Sequence, residues 1–190
     1  LLFIEFGAGV NYNTAVGTSP HPKGEEFGFL IGSYGKGYGA RKAWGYYDEA
    51  IKVAEKVGCV DQILMKGSKP MAEVDAKLAS HENNFMYMPI INILTESGKK
   101  LYNDYKEVGL GTQIAYEVCW NKTTPEVTEC MKEIVAGGAK AWANTIWGSL
   151  CGYLDDAAAL EKGTEEIYGP IVDMGVTMIQ TDRPEFLIDY

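Results

Sequence analysis

The chain has 190 residues, of which 46% are hydrophobic and 23% charged, enough apolar material for one sizeable core and too little for two. With 17 Lys and Arg against 26 Asp and Glu, the formal net charge of -9 repels a phosphate backbone and excludes nucleic acid or anionic lipid held by bulk charge. No stretch approaches the roughly 18 to 20 continuous apolar residues of a membrane helix, so no membrane span is expected.

The opening LLFIEFGAGV lacks a basic flank and reads as a first strand in preference to the remnant of a signal peptide. Residues 1–39 hold nine of the 22 glycines, and the run GSYGKGYGAR extends from Gly32 to Arg41. Gly35, Gly37 and Gly39 alternate, whereas a phosphate-cradling GxGxxG turn needs a different spacing between a strand and a helix.

From Ala43 onward one unit recurs, a polar helical pattern followed by a short apolar run. WGYYDEAIKVAEKV repeats apolar residues at three-to-four spacing and stops at Gly58, and DQILMKG follows as a strand. Pro70 opens the helix PMAEVDAKLAS, after which FMYMPIINI reads as a second strand. Thr95 is placed to cap TESGKKLYNDYKEVG, and TQIAYEVCW is the third strand. Thr124 before Pro125 starts the helix TPEVTECMKEIVAGG, and KAWANTIW is the fourth strand. The stretch GYLDDAAALEKGTEEIYGPIVDMG is helical, VTMIQTD is a fifth strand, and RPEFLIDY begins a last helix at Pro184. Strict alternation of strand and helix predicts parallel pairing through right-handed crossovers within a single α/β domain over residues 1–190. Periodicity leaves two architectures open, part of a (β/α)8 barrel and an open doubly wound sheet, and length favours the second because a full barrel takes about 250 residues.

In either architecture functional side chains gather at the carboxyl ends of the strands. That rule selects Lys66, Asn92, Glu117, Asn144, Trp147 and Asp182, a set suited to a small anionic or hydroxylated ligand. Each also has a plainer reading: Lys66 as a solvated strand-end charge, Trp142 and Trp147 as core, Asp182 as a helix cap. Glu117 is the most telling, because a carboxylate inside an apolar strand is costly to bury without a cation, a metal or a proton. His21 and His81 have no nearby nucleophile, and GxSxG is absent, which argues against a serine hydrolase. Cys59, Cys119, Cys130 and Cys151 form no CxxC pair and read as free thiols rather than zinc ligands or a disulfide framework.

The C-terminal segment DMGVTMIQTDRPEFLIDY, with Gly175, Thr181, Asp182 and Pro184 in a Thr-Asp-x-Pro turn, resembles the end of the glycerophosphodiester phosphodiesterase family. KAWANTIW, AYEVCW, FMYMPII and AWGYYDEAIKVAEKVGCVDQILMKG resemble earlier units of the same family, so the likeness spans about residues 42–190. It implies a (β/α)8 TIM barrel, incomplete here, with residues 1–41 outside the match. It also implies a hydrolase of phosphoric diesters that yields glycerol 3-phosphate and an alcohol with the help of a divalent cation, calcium or magnesium. The family's His-Arg-Gly turn, Glu-Asn pair and Glu-x-Asp run are not found in this chain, so no catalytic residue or metal ligand is assigned. Within that likeness, strand-end position assigns substrate contacts to Lys66 (a phosphate oxygen), Glu117 (glycerol hydroxyls or a metal-bound water) and Trp147 (an apolar wall), and the resemblance matches Lys42 to a family lysine, with Ala40 and Arg41 where the family carries an acid. The partner expected is a small-molecule phosphodiester, and self-association is expected through the exposed edges of an incomplete barrel. The rival expectations are a non-catalytic α/β small-ligand-binding domain and an unrelated open-sheet enzyme.

Overall fold

A computed structural model describes residues 29–31, 44–188 and 190. The opening segment, His21, the alternating glycines and Lys42 lie outside the described residues.

Six strands run in chain order: β1 (Phe29–Ile31), β2 (Ile63–Gly67), β3 (Met86–Asn92), β4 (Ala115–Cys119), β5 (Lys140–Asn144) and β6 (Met178–Gln180). Between them stand α1 (Tyr47–Val57), α2 (Met71–Leu78), α3 (Glu96–Val108) and α4 (Pro125–Ala136). The last crossover carries α5 (Asp156–Lys162) and α6 (Thr164–Asp173), and α7 (Pro184–Ile188) follows β6. The helix ends follow the sequence signals. Tyr47, Ile51 and Ala54 bury one stripe of α1, and Gly58, at φ 70°, turns the chain so that its N–H reaches Glu55 O and the Cys59 N–H reaches Ala54 O. The hydroxyls of Thr95 and Thr124 accept from the N–H groups of Gly98 and Val127, capping α3 and α4. Asp155 caps α5 in the same way through Ala158.

Every adjacent pair of strands is parallel, and the spatial order is the chain order, β1-β2-β3-β4-β5-β6. A doubly wound sheet reverses its strand order at a switch point so that helices cover both faces. No reversal occurs among the described strands, and their alternate residues separate cleanly. Ile63, Met65, Tyr87, Ile91, Tyr116, Val118, Ala141 and Ala143 share one cluster with buried residues of α1 to α4 and α6. Leu64, Met88, Ala115, Trp142 and Met178 form a second cluster to which no helix among the described residues contributes. The open-sheet expectation from length therefore fails, because the described helices between the strands all pack on the same side of the sheet.

The sheet is also curled. Lys66 on β2 and Gln180 on β6 are four strand spacings apart, roughly 19 Å in a flat sheet at about 4.8 Å per strand. Their side chains nevertheless meet, with Lys66 Nζ 3.1 Å from Gln180 Oε1. The result is an α/β fold with a half-barrel parallel sheet, compatible with an incomplete TIM-like barrel.

Candidate functional site at the strand ends

The face of the sheet turned away from the described helices has an apolar floor and a polar layer above it. Two residues beyond Leu64, Ala115, Trp142 and Met178, and so on the same face by the strand period, stand Lys66, Glu117, Asn144 and Gln180. All four are buried, Lys66 at 6% and Glu117 at 2% exposure. Lys66 Nζ lies 2.9 Å from Glu117 Oε2 and 5.3 Å from the centroid of the Trp142 ring. Asn144 Nδ2 donates to Glu117 Oε1 at 3.3 Å and to Gln180 Oε1 at 3.2 Å, and Gln180 Oε1 also accepts from Lys66. The cost of burying the carboxylate is thus met by an ammonium and an amide rather than by a second acid.

On the opposite face of β5 and β6, just past their ends, lies a second network that no sequence motif marked. Asp156, in the first turn of α5, is buried and accepts four hydrogen bonds. Thr145 Oγ1 (2.6 Å) and the Tyr168 hydroxyl (3.0 Å) donate to Oδ1, while Thr181 Oγ1 (2.8 Å) and the Asp182 N–H (3.0 Å) donate to Oδ2. Burial pushes the Asp156 carboxyl above the usual carboxylate range, against the Thr145 and Thr181 hydroxyls that favour its anion. The same burial, aided by the Asp156 charge, raises the Tyr168 phenol. Asp156 thereby ties the loop after β5 to the loop after β6, the two strands that supply Asn144 and Gln180.

Of the residues selected from sequence, Lys66, Glu117 and Asn144 come together. Lys66 is not a solvated strand-end charge. Trp147 stands in the loop after β5, 39% exposed, and Trp142 is buried at 1% in the apolar floor. Asn92 is exposed and its carbonyl receives the Thr95 hydroxyl and N–H, an end-of-strand turn rather than part of the layer. Asp182 turns its side chain outward, 60% exposed, and contributes its backbone N–H to Asp156. His81 lies away from the layer, 2.8 Å from Asp48 on α1. Gln180 and Asp156 escaped notice, although the alternation of Met178 with Gln180 on one strand face was a signal for the first.

All four cysteines are free, Cys119, Cys130 and Cys151 being buried. Burial raises the Cys119 thiol well above its ordinary value, with the Glu117 charge adding to the effect. Among the described residues no group of three or more His, Cys, Asp or Glu is arranged to hold a metal ion. Glu117 faces an ammonium, so the described residues do not fit the divalent cation that the resemblance implied.

Residues 87–190 match the model of DUF4996, a domain of unknown function. The chain belongs to that family. The matched segment contains Glu117, Asn144 and Gln180, while Lys66 lies upstream of it. No curated protein matches the chain. The resemblance to glycerophosphodiester phosphodiesterases is overturned, because the segments that carried most of it belong to a different family model. Its most suggestive element, the Thr-Asp-x-Pro turn, has a structural explanation here: Thr181 and Asp182 anchor on Asp156, the Arg183 N–H donates to Thr181 Oγ1, and Pro184 opens α7. No helix among the described residues is long and apolar enough to cross a membrane.

Proposed function

We propose that the DUF4996 chain binds a small hydroxylated phosphate ester at the carboxyl ends of its strands, on a sheet of the (β/α)8 barrel type. The observation that carries this reading is the Lys66–Glu117 pair, an ammonium 2.9 Å from a carboxylate beside the amides of Asn144 and Gln180. Such a pair suits a ligand that presents an anionic oxygen beside a hydroxyl: Lys66 donates to the phosphate oxygen, and Glu117 accepts from the hydroxyl. Asn144 and Gln180 hold both charged groups in place, and Trp147 supplies an apolar wall beyond them. The reading is one of ligand binding in an α/β domain.

Calorimetric titration with glycerol phosphate and with bis(4-nitrophenyl) phosphate tests it. Saturable binding that falls at least about tenfold in Lys66→Ala, with the fold retained by circular dichroism, supports the site. Absence of binding to the wild-type chain overturns it. Release of nitrophenolate in the presence of magnesium or calcium would replace the binding reading with that of a phosphoric diester hydrolase.

A further inference from the structure

Gln180 belongs to both polar networks, one on each face of the sheet. Its side-chain Oε1 accepts from Lys66 at 3.1 Å and from Asn144 at 3.2 Å in the layer that carries the candidate site. Its main-chain O faces Thr145, whose N–H donates to it at 2.9 Å and whose Oγ1 stands 2.8 Å away. Thr145 is in turn held by Asp156 at two points. The Asp156 N–H donates to Thr145 O at 2.8 Å, and Asp156 Oδ1 lies 2.6 Å from Thr145 Oγ1. Asp156 thus reaches the layer through Thr145 and the main chain of Gln180 rather than by contact.

Counting hydrogens along this chain separates two states. Thr145 Oγ1 carries a single hydrogen and has two oxygens within hydrogen-bond distance, Asp156 Oδ1 and Gln180 O. With Asp156 ionised, that hydrogen goes to the carboxylate, and Thr145 Oγ1 and Gln180 O face each other at 2.8 Å as two acceptors. With Asp156 protonated on Oδ1, the acid donates to Thr145 Oγ1 and the Thr145 hydroxyl donates to Gln180 O. The other contacts survive the change: Oδ1 still accepts from the Tyr168 hydroxyl, and Oδ2 from Thr181 Oγ1 and the Asp182 N–H. The protonated network is complete, whereas the ionised one leaves a short oxygen–oxygen contact without a hydrogen.

The surrounding groups favour the same state. The Asp182 carboxylate, in the loop after β6, opposes a second negative charge beside it, and Asp155 caps α5 next to it in the chain. Tyr168 on α6 and Cys151 in the loop after β5 are uncharged, burial raising both. Arg183 faces Asp182 at 3.9 Å in solvent.

We propose that Asp156 is a positioning residue for the strand-end site, its proton closing a latch from Asp156 through Thr145 to Gln180 that holds the Asn144 and Gln180 amides ready for the ligand. This rests on the phosphate-ester reading above. As pH rises and Asp156 ionises, the Thr145 hydroxyl turns from Gln180 O to the carboxylate, the end of β6 loosens from β5, and affinity falls. By reciprocity the ligand, favouring the closed latch, moves that ionisation to higher pH.

The test uses bis(4-nitrophenyl) phosphate, a diester whose single acidic group stays ionised throughout, so that only the protein titrates. Calorimetry from about pH 4 to pH 8 measures its affinity for wild type, Asp156→Asn and Thr145→Val, while infrared difference spectra follow the C=O stretch of the protonated acid. In wild type an acid band that Asp156→Asn lacks is expected to fade as pH rises. Affinity is expected to fall about tenfold over the same interval, and added diester to move the fading to higher pH. Both variants are expected to bind with affinities that change less than about twofold across the range, and Thr145→Val, which keeps Asp156, serves if Asp156→Asn does not fold. A wild-type profile that both variants reproduce overturns the latch, as does an acid band that the diester leaves unmoved. Failure of the diester to bind wild type at any pH removes the parent reading and this one with it. Binding that does not depend on Asp156 removes this one alone.

Discussion

Lys66 and Glu117 meet at 2.9 Å across an intervening strand, both side chains at or below 5% exposure. Removing either charge strands the other in a layer with little water. Lys66→Met is expected to cost about 3–5 kcal/mol in urea unfolding, whereas Lys66→Met combined with Glu117→Met is expected to recover most of that loss. A single-variant cost below about 1 kcal/mol would mean that the pair is solvated like a surface ion pair.

Asp156 gives stability a pH dependence of definite sign. Its folded carboxyl titrates above the ordinary value of 3.8, so its contribution to stability is fully present below that value and is lost as pH rises through the folded value. Asp156→Asn removes the titration and sets an amide N–H2 against a hydroxyl or the Asp182 N–H, at a cost of about 1–3 kcal/mol near neutrality. The stability advantage of wild type over Asp156→Asn, followed by urea unfolding from about pH 3 to pH 8, is expected to shrink as pH rises. A gap that widens with pH would contradict the burial-driven shift.

The thiols are expected to divide into one and three. Burial holds Cys130 and Cys151 at about 12 and Cys119 well above its ordinary value, while Cys59 is only half-buried. Iodoacetamide at about pH 8 should therefore modify Cys59 first and reach the others only on unfolding, as read by peptide mass mapping. Rapid labelling of Cys119 in the folded chain would contradict its burial.

Gly98 sits where α3 starts against the end of β3, and a Cβ there would collide with the carbonyl oxygen of Asn92. Gly98→Ala is expected to cost about 3 kcal/mol, the upper part of the overpacking range, because backbone rather than a flexible side chain must move. Gly45→Ala, at a site with nothing within 4 Å, is the matched control and is expected to leave the midpoint of urea unfolding nearly unchanged.

The secondary structure was legible because its signals are local. Thr95, Thr124 with Pro125, and Gly58 mark helix ends by chemistry that acts within one turn. Lys66, Glu117 and Asn144 could be selected because strand direction places carboxyl ends on one side, and their mutual contacts could not, because those depend on curl. Gln180 read as an ordinary strand end until the curl brought it to Lys66. Asp156 was hidden by its neighbour: in an Asp-Asp pair either residue could cap α5, and Asp155 does so, leaving Asp156 to the interior. The Thr-Asp-x-Pro turn misled because a motif that braces two loops looks the same in one dimension as a motif that marks a family.

The strict neighbour-to-neighbour strand order has a kinetic consequence. Each strand pairs with the next one made, so most of the sheet can assemble from contacts of short sequence separation as the chain lengthens. The Lys66–Gln180 hydrogen bond is the exception, joining residues 114 apart and available only once β6 has docked. Its loop-closure entropy falls due after the intervening strands have already shortened the span, which makes the polar layer a late event and a marker of completed folding.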